Sequence, residues 1–90
     1  MMILQNPLIY IKLISMKSKI KLYVIDNIKK RRLDKEWSQR YLGDCLNVSQ
    51  GFIQKIENPK SDKSYNIDHL NELAKIFKCS IKDFFPDAPL

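Results

Sequence analysis

From Val24 onward, apolar residues recur at helical spacing. Val24, Ile25, Ile28 and Leu33 fall at near-helical spacing with Lys29, Lys30 and Arg31 on other faces, which predicts a first helix from about Tyr23 to Lys35. Ser38 is placed to cap a second helix, Gln39 to Leu46, with Leu42, Cys45 and Leu46 facing inward. Asn47 ends it, because Asn tolerates the left-handed backbone that a tight helix-to-helix corner needs, and Val48 supplies an apolar plug. Ser49 caps a third helix, Gln50 to Asn58, which Pro59 stops. The run Lys-Ser-Asp-Lys-Ser-Tyr over 60–65 reads as a polar loop. Asn66 then caps a fourth helix on which Ile67, Leu70, Leu73, Ala74 and Phe77 form a single apolar stripe. Ser80-Ile81-Lys82-Asp83 matches a capping box with Asp in place of Glu and opens a short fifth helix carrying Phe84 and Phe85, before Pro86 and Pro89. The expected class is all-α, with five short helices and no convincing sheet.

The beginning of the chain differs in character. Residues 1–15 are apolar and β-branched around Leu8-Ile9-Tyr10-Ile11-Lys12-Leu13-Ile14, with neither cap nor helical period, and they read either as a strand-like arm or as a segment upstream of a start at Met16. Lys19-Ile20-Lys21-Leu22 alternates like a strand for a few residues. The domain reading is therefore an N-terminal extension over 1–18, a helical domain over 19–86 and a tail over 87–90. Lys12 and Pro7 break the apolar stretch well short of the roughly 18 residues a membrane helix needs. With no basic region ahead of that stretch, a secretory signal is not expected, and the chain reads as cytoplasmic with no membrane partner.

Ninety residues with 44% hydrophobic and 29% charged side chains describe one small folded domain rather than a disordered chain, leaving no room for a second, catalytic domain. The net charge of +6 points to a polyanionic partner. It is concentrated in residues 1–36, which carry nine basic side chains against three acidic ones, while the remainder is neutral as a whole. Cys45 and Cys79, with the lone His69, are too few and too scattered for a zinc site and read as buried reduced thiols. His69, in the first turn of the fourth helix, reads as a surface or capping residue. The expectation is no enzyme, no catalytic residue, no metal and no cofactor.

The third helix carries the most specific signal. At about 100° per residue, Phe52, Ile53 and Ile56 gather on one side and Gln50, Gly51, Gln54, Lys55 and Asn58 on the other. Amides donate and accept together, as adenine's edge requires, and Lys donates to guanine's acceptors. A small Gly51 lets the backbone come close to a partner. Two Ser-capped helices joined by Asn47-Val48 make a helix-turn-helix. The run from Ser38 to Asn58, with its Ser-Gln, Val-Ser, Ile and Ile-Glu-Asn spacing, resembles the lambda-repressor-like (Cro or XRE type) helix-turn-helix family. The likeness extends back to Ile28 and forward through Leu73–Ile81 to Phe85.

That resemblance implies a five-helix, sequence-specific DNA-binding domain acting as a transcriptional regulator, usually a homodimer on a palindromic double-stranded operator. Carried over by position, it places Gln39, Arg40 and Ser49 at helix N-termini near phosphates and turns Gln50, Gly51, Gln54 and Lys55 to the major groove. Asn58 and Lys60 would hold the DNA backbone. It also implies a buried structural ion pair between Arg32 and Glu57. The departures are Gly43, where the family more often has Ala, and Asn47, where it more often has Gly. Trp37, ahead of the Ser38 cap, reads as a core anchor. A second reading is an antitoxin-like module in which Phe84, Phe85 and Pro86 dock on a protein partner while the helix-turn-helix binds its own operator.

Overall fold

The computed structural model describes residues 17–90, so the readings of residues 1–15 as an arm or an upstream segment lie outside the described residues. Among the described residues there are four α-helices and no strand: α1 Lys19–Asp34, α2 Gln39–Leu46, α3 Gln50–Glu57 and α4 Ile67–Phe77. Where a fifth helix is expected, Ile81–Phe84 forms a single 3-10 turn. The Ser80 amide donates to Asp83 Oδ2 at 3.0 Å, as the capping-box pattern anticipates. Pro86 prevents the turn from growing, because it lacks an N–H and forces Phe85 into extended backbone at φ −108°, ψ 154°.

α1 begins four residues earlier than the apolar period suggests. Ser18 Oγ accepts from the Lys21 amide at 3.4 Å and the Ser18 carbonyl from the Leu22 amide at 3.0 Å, so the short Lys-Ile-Lys-Leu alternation is a first helical turn. A period of two over four residues does not distinguish the two structures; the serine cap does. At the other end α3 stops at Glu57, and Asn58 is extended.

Three of the helices end in the same way. After α1, the Trp37 amide reaches the Arg32 carbonyl at 3.0 Å and the Glu36 amide reaches Leu33 at 2.9 Å; after α2, Val48 reaches Gly43 at 2.9 Å; after α4, Cys79 reaches Ala74 at 2.9 Å. Each closure needs one left-handed residue, supplied by Glu36 (φ 58°), Asn47 (φ 62°) and Lys78 (φ 56°). Asn47 is the one whose residue type advertises this.

The α2–α3 corner is tight because Gly43 has no side chain. A Cβ there would lie 2.9 Å from the Val48 carbonyl oxygen and 3.3 Å from Ser49 backbone atoms. Leu42, Gly43 and Leu46 form the buried arc of α2 and Cys45 falls outside it, exposed, contrary to the inward position expected for that thiol. Cys79 is half-buried, and burial raises its thiol pKa.

The core lies between the helices. Ile28, Leu42, Ile53, Ile56, Leu73 and Phe84 are fully buried. Tyr65, at the end of the polar loop, is buried as well; burial, then the nearby Glu57 charge, pushes its phenol well above the ordinary range, and Arg32 opposes this. Trp37 anchors the α1–α2 corner, with its ring 5.3 Å from Phe77 and 5.0 Å from Tyr41.

Across this core runs one buried ion pair. Arg32 donates from Nε to Glu57 Oε2 at 2.9 Å and from Nη2 to Oε1 at 2.8 Å, while its Nη1 donates to the Trp37 carbonyl at 2.7 Å. The side chains are only 8% and 3% exposed. Removing one partner strands the other charge in a dry site, at a cost of about 3–5 kcal/mol. Arg32→Met and Glu57→Leu are each expected to lower unfolding free energy by that order in denaturant titration. The double variant is expected to be more stable than the sum of the two losses implies.

Candidate nucleic-acid interface

The side chains on the outer face of α3 are free of the core because the opposite face is locked into it. Ile53 and Ile56 are fully buried and Phe52 is half-buried, whereas Gln50, Gly51, Gln54, Lys55 and Asn58 are exposed. Phe52 also meets His69 on α4, with ring centroids 5.5 Å apart. His69 Nδ1 in turn accepts from the Asn66 amide at 3.1 Å while Asn66 Oδ1 accepts from the His69 amide at 2.7 Å. The histidine thus caps α4 and packs against Phe52 of α3.

Two helix N-termini flank this face. Ser38 Oγ accepts from the Tyr41 amide at 2.9 Å and Ser49 Oγ from the Phe52 amide at 3.0 Å, leaving other first-turn amides of α2 and α3 to solvent or an anion. Arg40 is exposed on α2. Gln39 is half-buried because its Nε2 donates to Glu57 Oε1 at 3.0 Å, so the amide links the ion pair to the surface. Beyond α3, Asn58 Oδ1 accepts from the Lys60 amide at 3.0 Å, and the Lys60 side chain is exposed at the tip of the turn.

The basic cluster at the front of the domain is less available than its count suggests. Arg31 donates from Nε to Asn27 at 2.9 Å and from Nη2 to the Asp83 carbonyl at 3.5 Å, and its guanidinium stands 5.4 Å from the Phe84 ring centroid. It fastens α1 to the 3-10 turn. Lys30 pairs with Asp26 at 3.1 Å, Lys35 lies over Trp37 and Lys17 is buried. Lys29 also lies beside the end of α3, sharing a cleft of about 220 Å³ with Leu22, Ile25, Asp26, Ile56, Glu57 and Pro59. Lys17 is the residue that sequence reasoning missed, having counted it only as part of a basic segment.

No group of His, Cys, Asp and Glu among the described residues is arranged to hold a metal ion, and no helix there is long and apolar enough to cross a membrane.

The model of the Cro/C1-type HTH DNA-binding domain matches residues 27–88, and the chain belongs to that family. A search of curated proteins gives no match. Among solved structures, hydroxypropylphosphonic acid epoxidase from S. wedmorenis is similar at 18% identity, with a TM-score of 0.68 over 81% of this chain and 38% of that one. FeII HppE in complex with substrate is similar at 19% identity, with a TM-score of 0.64 over 77% of this chain and 38% of that one. The chain spans about two-fifths of the length of these structures, and at such identity the likeness shows a shared fold alone.

Two outcomes follow from the side-chain positions. A Cβ on Gly51 would have Ser49 Oγ at 3.9 Å as its nearest neighbour, so Gly51→Ala is expected to raise stability by about 0.5 kcal/mol while weakening DNA binding. Thermal melts and a binding titration on the same variant check both signs. Arg31→Ala is expected to cost about 1 kcal/mol of stability and leave the slope of log affinity against log salt unchanged. A flatter slope would place Arg31 on phosphate instead.

Proposed function

We propose that this chain binds double-stranded DNA sequence-specifically through α3 and acts as a transcriptional regulator. The observation that carries the reading is the outward row of Gln50, Gly51, Gln54 and Lys55 on a helix whose inner face is fixed by Ile53, Ile56 and the Arg32–Glu57 pair. Amide side chains and one ammonium match base-edge donors and acceptors in the major groove. Gln39, Arg40 and Ser49 approach phosphates at the two helix N-termini, and Asn58 and Lys60 hold the backbone past the end of α3.

Homodimeric binding to a palindromic operator belongs to the same reading. An eight-residue helix spans about 12 Å and reads only a few base pairs, so two copies related by a twofold axis supply the contact that one lacks. Work of this kind takes place in the cytoplasm. The alternative, docking of an antitoxin-like C-terminus on a protein partner, loses Phe84 as an anchor, because that ring is fully buried in the domain's own core.

Selection from random duplex DNA tests the proposal. Enrichment of paired half-sites about one helical turn apart is the expected result, and recovery of unenriched sequence would overturn it. On the selected duplex, Gln50→Ala and Lys55→Ala are each expected to cost about 1–3 kcal/mol of specific affinity and to leave non-specific binding nearly intact. Electrophoretic mobility titrations on cognate and scrambled duplexes measure the difference.

A further inference from the structure

Lys17 stands just ahead of the Ser18 cap of α1, yet its side chain ends at the far end of α3. It is 6% exposed, its Nζ donates to the Asn58 carbonyl at 2.5 Å, and it also donates to the Ser61 carbonyl. Those two carbonyls bracket a tight turn, since the Ser61 amide returns to the Asn58 carbonyl at 3.1 Å and Pro59 presets the backbone at the second position. Lys60 occupies the third position, at the exposed tip. The turn can close without Lys17. What the ammonium adds is its attachment to the body of the domain: two carbonyls from α3's exit are held on a cation carried by the lead into α1. Burial pulls the Lys17 pKa below the ordinary lysine range, with Asp62 opposing, so the side chain sits there against a desolvation cost. The family match begins at residue 27, so the anchor lies ahead of the matched part.

We infer that Lys17 is a positioning residue for DNA binding, which sets where the Asn58–Ser61 turn and the Lys60 side chain stand relative to the reading face of α3. The inference rests on the proposed DNA-binding function. Lys17 itself touches no phosphate; it acts through the turn, so its contribution and that of Lys60 are coupled rather than additive.

A double-mutant cycle tests this on the full chain, using Lys17→Met, Lys60→Ala and both together, with the duplex selected for the wild type. Circular dichroism at the assay temperature establishes that each variant is fully helical, which separates lost position from lost folding. Lys17→Met is expected to weaken binding about fivefold, Lys60→Ala about fivefold, and the pair by much less than the product of the two. Lys17→Arg, which keeps donors at the site, is expected to recover most of the loss. Should Lys17→Met not fold, Lys17→Gln, whose shorter stem cannot bridge both carbonyls, replaces it with the same expectation. Full additivity, or unchanged affinity in the folded Lys17 variant, would overturn the positioning role while leaving DNA binding intact. Failure of the wild type to bind any duplex would instead remove the functional reading on which the inference stands.

Discussion

The bidentate contact between Arg32 and Glu57 is the constraint on which the rest of the structure depends. It ties the last turn of α1 to the last residue of α3, and Arg32 reaches the Trp37 carbonyl at the α1–α2 corner while Glu57 receives Gln39 from the first turn of α2. Both charges are almost fully removed from water, so each is tolerable only while the other is in place. The orientation of α3 therefore cannot drift without breaking a pair whose members have no alternative solvent. A recognition helix needs that kind of restraint, because a base-edge hydrogen bond weakens steeply when its donor moves by an ångström or turns by tens of degrees.

Around this pair the backbone is closed tightly rather than padded with side chains. Gly43 brings α2 against the Val48 and Ser49 backbone, and three left-handed closures turn the chain within a residue or two of each helix end. The basic residues of α1 and of the segment leading into it take part in the same economy of space. Arg31 holds the 3-10 turn, Arg32 holds α3 and Lys17 the turn beyond it, so part of the charge excess that composition alone assigns to a polyanion serves internal fastening. Of the remaining members, half-buried Lys29 lies beside the end of α3, whose exposed side carries Gln50, Gln54, Lys55 and Asn58.

Much of this was legible from residue types. Ser38, Ser49 and Asn66 mark three helix starts and Asn47 marks the corner; of the stripe Ile67, Leu70, Leu73, Ala74 and Phe77, all but the exposed Ile67 form the buried face of α4. The illegible parts share a physical cause: they are decided by contacts distant in sequence or by backbone conformations that the residue does not advertise. Glu36 and Lys78 are left-handed because tertiary packing demands the closure, not because Glu or Lys prefers it. Cys45 points outward because the buried arc of α2 runs from Leu42 and Leu46 toward Gly43, on the side away from that thiol. Tyr65 is buried at the end of a run of polar residues, and Lys17 binds carbonyls more than forty positions away. On the reading face, spacing alone sorted inward from outward residues, since an eight-residue helix with Ile53 and Ile56 in the core leaves little choice for Gln50, Gln54 and Lys55.

The central claim is that one surface, made of α3, the first turns of α2 and α3 and the Asn58–Ser61 turn, meets DNA. Backbone amide shifts recorded while a duplex is titrated into the labelled chain test it most directly. The account predicts that perturbations concentrate at residues 38–41, 49–55 and 58–61. Perturbations confined to the outer face of α1 around Tyr23, Asp26 and Lys30, or to the C-terminal segment from Phe85 to Asp87, would contradict it.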